Sequence, residues 1–177
     1  MKSKLIAISS ISAGLISIFL TIGAYVEVAD LVAVVFGSIL TILPLYYKSY
    51  KASVLAYLVG GVIGFLLSGF NLLSLVFPAY FLFCGAYTIV KCKFIDVKFN
   101  KILGFVIGLI WCILFAYGLY FYYINVMHGV FDGIPLNLQN YVIYAVGIVA
   151  LLFFIVYNRF VVVIRRFIDY YLYRILK

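Results

Sequence analysis

The sequence predicts an all-α integral membrane protein. It has six transmembrane helices, both termini in the cytosol, and a C-terminal amphipathic cytosolic helix. Three observations predict this. Of 177 residues, 68% are hydrophobic and 10% charged, against about 25% charged in a soluble domain. The apolar residues fall into six runs, each near the ~20 residues of a membrane span, parted by short polar breaks. All thirteen Lys and Arg lie in alternate breaks, the positive-inside pattern.

Lys2 and Lys4 precede the first run, 5–26. It is too long for a signal-peptide core, and no small-x-small cleavage site follows, so it reads as a retained span. Ser9, Ala13, Ser17 and Thr21 form an every-fourth ridge on it, and its hydroxyls can also bond back to carbonyls one turn earlier. Glu27 and Asp30 end the run. The second span, 31–47, carries Ala33, Gly37 and Thr41, and Pro44 kinks or closes it. Lys48 and Lys51 follow.

The third span, 52–70, shows the clearest ridge: Ala52, Ala56, Gly60, Gly64, Ser68. Gly60 and Gly64 would weaken a helix in water. In lipid they let another backbone approach closely. The fourth span, 72–90, holds Pro78, where a kink is expected. A basic loop with Lys91, Lys93, Lys98 and Lys101 against Asp96 leads to the fifth span, 102–124. That span repeats the ridge with Gly104, Gly108, Cys112 and Ala116, and ends in an aromatic belt.

The longest polar break, 125–140, contains the only histidine, His128. The sixth span is 141–157. The bundle is therefore 1–158 and the basic tail 159–177. On a helical wheel the tail gathers Ile164, Phe167, Ile168, Tyr171 and Ile175 on one face, and Arg165, Arg166, Asp169 and Lys177 opposite, as in a helix that lies along the membrane surface or continues the sixth span into the cytosol. Such a tail can hold anionic lipid or dock a cytosolic partner. The ridges predict tight packing of spans one, two, three and five. Spans four and six should be looser or line a cavity.

The alternation of charge places the chain in the cell membrane as a multi-pass protein, with the bilayer as its first partner. Its basic residues sit where positive-inside places them, so the net charge of +8 does not indicate nucleic acid. Glu27, Asp30 and Asp132 stand on the opposite side. With His128 they could bind a cation or a cationic substrate, yet acids and histidine are ordinary at a water interface and the spacing matches no metal motif. The aromatic load fits packing and lipid contact, or a pocket for a flat apolar ligand. No ionisable residue falls within a span, which argues against proton pumps, voltage sensors and intramembrane proteases. No Walker A, G-x-S-x-G or H-E-x-x-H pattern occurs, so no enzyme, cofactor or metal is expected. Cys84, Cys92 and Cys112 read as buried or cytosolic thiols.

Six spans in so short a chain, with both ends cytosolic and no energy-coupling motif, resemble the membrane substrate-binding (S) subunit of energy-coupling-factor vitamin transporters. The resemblance implies a transport role for a small-molecule ligand, with a membrane coupling subunit and its ATPases as partners. It implies that Ser9, Ala13 and Ser17 form the small-residue coupling surface, although Ser stands where that family has its first Ala. It also implies a ligand site near the outer face, with Glu27, Asp30, Phe121, His128, Asp132 and Asn140. The segment 81–91 is also similar to small uncharacterised six-span proteins of Gram-positive bacteria. The alternative is a structural or assembly protein whose ridges bind other membrane helices and whose tail recruits a cytosolic partner.

Overall fold

The computed structural model describes residues 2–71, 74–126 and 136–176. Among them every regular element is helical. Helix α1 (Lys2–Tyr25) passes through a 3-10 turn (Glu27–Ala29) into α2 (Asp30–Leu40). Pro44 sits at the start of a second 3-10 turn (Leu43–Tyr47), which closes on Lys48 at φ 55°. A left-handed non-glycine residue is uncommon, and here it makes the sharp reversal. Ser49 then caps α3 (Tyr50–Leu67), its Oγ accepting from the Ala52 N–H at 3.4 Å.

The fourth helix, α4, runs in three consecutive pieces: α-helical Val76–Pro78, π-helical Ala79–Cys84 and α-helical Gly85–Asp96. Helices α5 (Lys101–Val126) and α6 (Leu136–Leu176) complete the chain. Among the described residues five segments are long and apolar enough to cross a membrane: Ser3–Tyr25, Asp30–Tyr47, Tyr50–Leu67, Lys101–Tyr122 and Tyr141–Tyr171. The charged end of α4 lowers its apolar character.

The chain forms two compact units, residues 1–98 with 161–177, and residues 99–160. In the first, α1 and α3 run side by side in the same direction. The row Ala52, Ala56, Gly60, Gly64, Ser68 is buried along its length. A Cβ on Gly60 would stand 2.8 Å from the Ala13 oxygen and from Ile16 Cβ. One on Gly64 would stand 3.2 Å from the Ser17 oxygen. Helix α2 closes on the other side of α1, where a Cβ on Gly23 would meet that of Ala33 at 2.6 Å.

Helix α4 departs from the expectation for span four. Far from being loose, it holds Tyr80, Tyr87 and Phe83, three of the four largest fully buried side chains of the described residues. No every-fourth ridge of small residues on α4 packs it; Gly85 alone takes that part. Its rings lie on glycines of other helices: a Cβ on Gly61 would stand 2.5 Å from Phe81, and on Gly37 3.6 Å from Tyr80. In return Tyr57 of α3 covers Gly85, 2.6 Å from where a Cβ would be. The expected distortion at Pro78 takes the form of the π-helical widening that begins one residue later. There the Tyr57 hydroxyl donates to the Phe81 oxygen at 2.7 Å, and the Tyr80 hydroxyl donates to the Tyr57 oxygen at 3.3 Å.

The second unit is an antiparallel pair of α5 and the first part of α6. Phe105 meets Phe154 with ring centroids 5.2 Å apart. One turn and more away, Cys112 Sγ lies 3.6 Å from the Ala150 oxygen, and the Tyr117 hydroxyl donates to Ile143 O at 3.4 Å. Gly104, Gly108 and Cys112 are buried in one row.

Candidate functional site

The described residues among those expected at the outer face fall in both units. Glu27 opens the turn after α1 and Asp30 begins α2, both in the first unit. Phe121 is 69% exposed on α5, in the second unit. Asn140 lies in the first turns of α6. His128 and Asp132 lie outside the described residues. Among the described residues no three His, Cys, Asp or Glu side chains converge as a metal centre.

The described ionic cluster stands elsewhere, at the Lys48–Lys51 end of the first unit, and it was hidden from the helical wheel. Arg165 of α6 is only 6% exposed. Its Nη2 lies 3.6 Å from Asp96 Oδ2 at the end of α4, and donates to the Leu45 oxygen at 3.4 Å. Its Nε is 3.3 Å from Asp169 Oδ2, one turn on. That contact is an ion pair rather than an aligned hydrogen bond, and Nη1 is buried without a hydrogen bond to the protein. Tyr50, at the start of α3, donates its hydroxyl to the same Asp96 oxygen. Three segments, the Leu43–Tyr47 turn, the end of α4 and α6 itself, thus meet on one guanidinium, and Tyr50 of α3 joins through Asp96; the planar fork suits several acceptors at once.

Two further polar groups of α4 are buried beside this cluster. Lys91 is 9% exposed, and burial lowers its ammonium below the usual lysine range. Cys92 is fully buried. Burial pushes its thiol up to about 12, with Asp96 and Asp169 adding to the rise and Arg165 and Lys91 opposing it. A thiol held protonated in this way is a poor nucleophile. Cys84 and Cys112 are buried as well.

The cluster corrects the wheel drawn from sequence. The α6 row that packs in the first unit is Val161 and Arg165, while Phe167, Tyr170 and Tyr171 are exposed, Tyr170 by 65%. The polar residue faces inward because Asp96, Asp169 and a backbone carbonyl are there to receive it. Phe167, Tyr170 and Tyr171 face out, while Ile164 and Ile168 are half-buried. Nothing in the local sequence marks this, since Asp96 and Arg165 lie in separate polar stretches. The one usable signal was that Asp96 is the single acid in a basic loop.

No known family model, curated protein or solved structure matches this chain.

Proposed function

We propose that the chain is a multi-pass cell-membrane protein of six spans, with both termini cytosolic. We further propose that it acts as an assembly subunit: it packs against other membrane helices and offers its C-terminal helix to a cytosolic partner. The observation that carries this is the Arg165 cluster. It fixes α6 beyond Val161 against the first unit and leaves Phe167, Tyr170 and Tyr171 outward beside Arg166. Exposed aromatics next to Arg are the composition favoured at protein contacts. On this reading the chain has no catalytic role.

The test is native mass spectrometry of gently solubilised membranes, run on the parent and on a Phe167→Ser/Tyr170→Ser variant. The expected result is a bound protein at fixed stoichiometry that the variant loses while its melting temperature holds. A chain that travels alone in both forms refutes the reading. Reporter fusions at each terminus test the orientation, and an extracellular signal from either one overturns it.

A second reading is a substrate-binding subunit of a transporter that depends on a partner for energy. It is favoured by the acids Glu27 and Asp30, which stand at the end of α1 and the start of α2, away from the lysines of the opposite end. The same spectra test it: a retained small molecule, with a coupling subunit and ATPases, supports this reading over the first.

A further inference from the structure

Helices α1 and α3 touch at Gly60 and Gly64 but part toward their N-terminal ends. The space between them is a groove of about 460 Å³. Leu5, Ile6, Leu55 and Val59 form its apolar walls, and Ala13, Ala52 and Ala56 its buried floor. At its rim stand Ser49 and Lys51. Lys4 adjoins wall residue Leu5 in sequence, and both lysines are exposed.

We infer that this groove holds one acyl chain of an anionic phospholipid, with the head group on Lys51 and Lys4. The inference goes beyond the assembly role and rests on the membrane placement proposed above. An open apolar groove at membrane depth is filled by what surrounds it, and that is acyl chain. The small floor residues remove the side chains that would otherwise fill it from within. The narrow end is closed by the Gly60 contact, so a chain lies with its tail toward Gly60 and its head group at the lysine end. Charge then selects the lipid. Lys51 faces no acid across the groove lining, where the other polar residues are serines, and Lys4 carries a second positive charge one residue from Leu5 of the wall. A zwitterionic head group brings its own cation to these lysines, whereas an anionic one does not.

The experiment uses the full chain in phosphatidylcholine nanodiscs, doped with either a phosphatidylglycerol or a phosphatidylcholine carrying a photoactivatable tail. Adducts are mapped by mass spectrometry. The expected result is that the glycerol lipid labels Leu5, Ile6, Leu55 and Val59 in preference to the choline lipid, by about five-fold for each lysine near the surface. Lys4→Gln/Lys51→Gln brings the two lipids to parity. Ser10→Leu, at an exposed lining position, blocks labelling of the walls and leaves the melting temperature unchanged.

Equal labelling by both lipids in the parent overturns the inference, as does a preference that survives the double substitution. Crosslinks from the walls to a second protein chain overturn it in favour of a helix as occupant. Exposed positions away from the groove, Ile18 and Val62, separate the two levels of failure. If they too escape every lipid probe, the membrane placement fails. If both lipids label them alike while the groove shows no preference, only the groove assignment fails.

Discussion

Gly60→Ala places a methyl group 2.8 Å from the Ala13 oxygen and from two atoms of Ile16. One of these is backbone and the others belong to a stiff β-branched side chain, so α1 itself must move. Overpacking of this kind costs ~1–3 kcal/mol. Alanine for glycine in a helix returns ~1 kcal/mol, leaving a net loss of about 0–2 kcal/mol. At Gly64 the new methyl would stand 3.2 to 3.3 Å from Leu20 and Ser17. A shift of tenths of an ångström relieves that, and the two effects nearly cancel. At Gly14 nothing lies within 4 Å, so only the propensity gain remains.

The melting temperatures should therefore fall in the order Gly14→Ala, Gly64→Ala, Gly60→Ala. At ~2–4 °C per kcal/mol for a chain of this size, the whole series should span several degrees. Gly60→Leu should fall further still. A thiol-reactive dye gives the readout in detergent, because Cys84, Cys92 and Cys112 are all buried and react on unfolding. Three alanine variants that melt together would refute the claim that α1 and α3 meet at Gly60.

Tyr57→Phe removes the donor to the Phe81 oxygen at 2.7 Å and should cost ~1–3 kcal/mol if that carbonyl stays buried; Tyr25→Phe, whose bond is exposed and 3.3 Å long, should be near neutral in the same melt. Asp96→Asn/Asp169→Asn should destabilise more than Arg165→Leu, because the first strands a buried cation and the second strands two partly exposed acids; denaturant titration of the three proteins decides it, and the reverse order refutes the cluster. Cys92 should resist alkylation at neutral pH in the folded protein, since its thiol is raised to about 12 and buried; peptide mapping should find it modified only after denaturation. Gly147→Ala should lose little, because its methyl would meet only the Tyr117 hydroxyl, at 2.9 Å, and Tyr117→Phe should restore what is lost.

Much of the helical architecture was legible from the residues. Long apolar runs leave helices as the structure able to satisfy every backbone group in lipid. Residues four apart share a face, which is why the small residues of α3 coincide with its buried row. Periodicity reads one helix at a time, and it failed where packing depends on two. The absence of a ridge on α4 suggested looseness, yet its rings fill the hollows that Gly37 and Gly61 leave on its neighbours. The tail is continuous with the sixth run, α6 passing through Asn158 to Leu176. Arg165 was grouped with Arg166 on the polar face of the tail, and a wheel cannot see Asp96, 69 positions away in sequence. Of the outer set, Glu27 and Asp30 fall at an interhelical turn, and His128 and Asp132 lie beyond the described residues.

The π-helical stretch of α4 also sets a phase. An α-helix advances about 100° per residue, and a π turn takes in one residue more than an α turn. Everything after Cys84 is therefore rotated by about that angle from where an unbroken α-helix would point it. Tyr80 and Phe83 before the step, and Lys91 and Cys92 after it, are all buried in the first unit. Deleting a single residue from Ala79–Cys84 would restore regular winding. It would leave Lys91 and Asp96 on the bearing they now have, whereas winding the full sequence as unbroken α-helix would swing both a quarter-turn or more away and uncouple the aromatic middle of α4 from the guanidinium at its end.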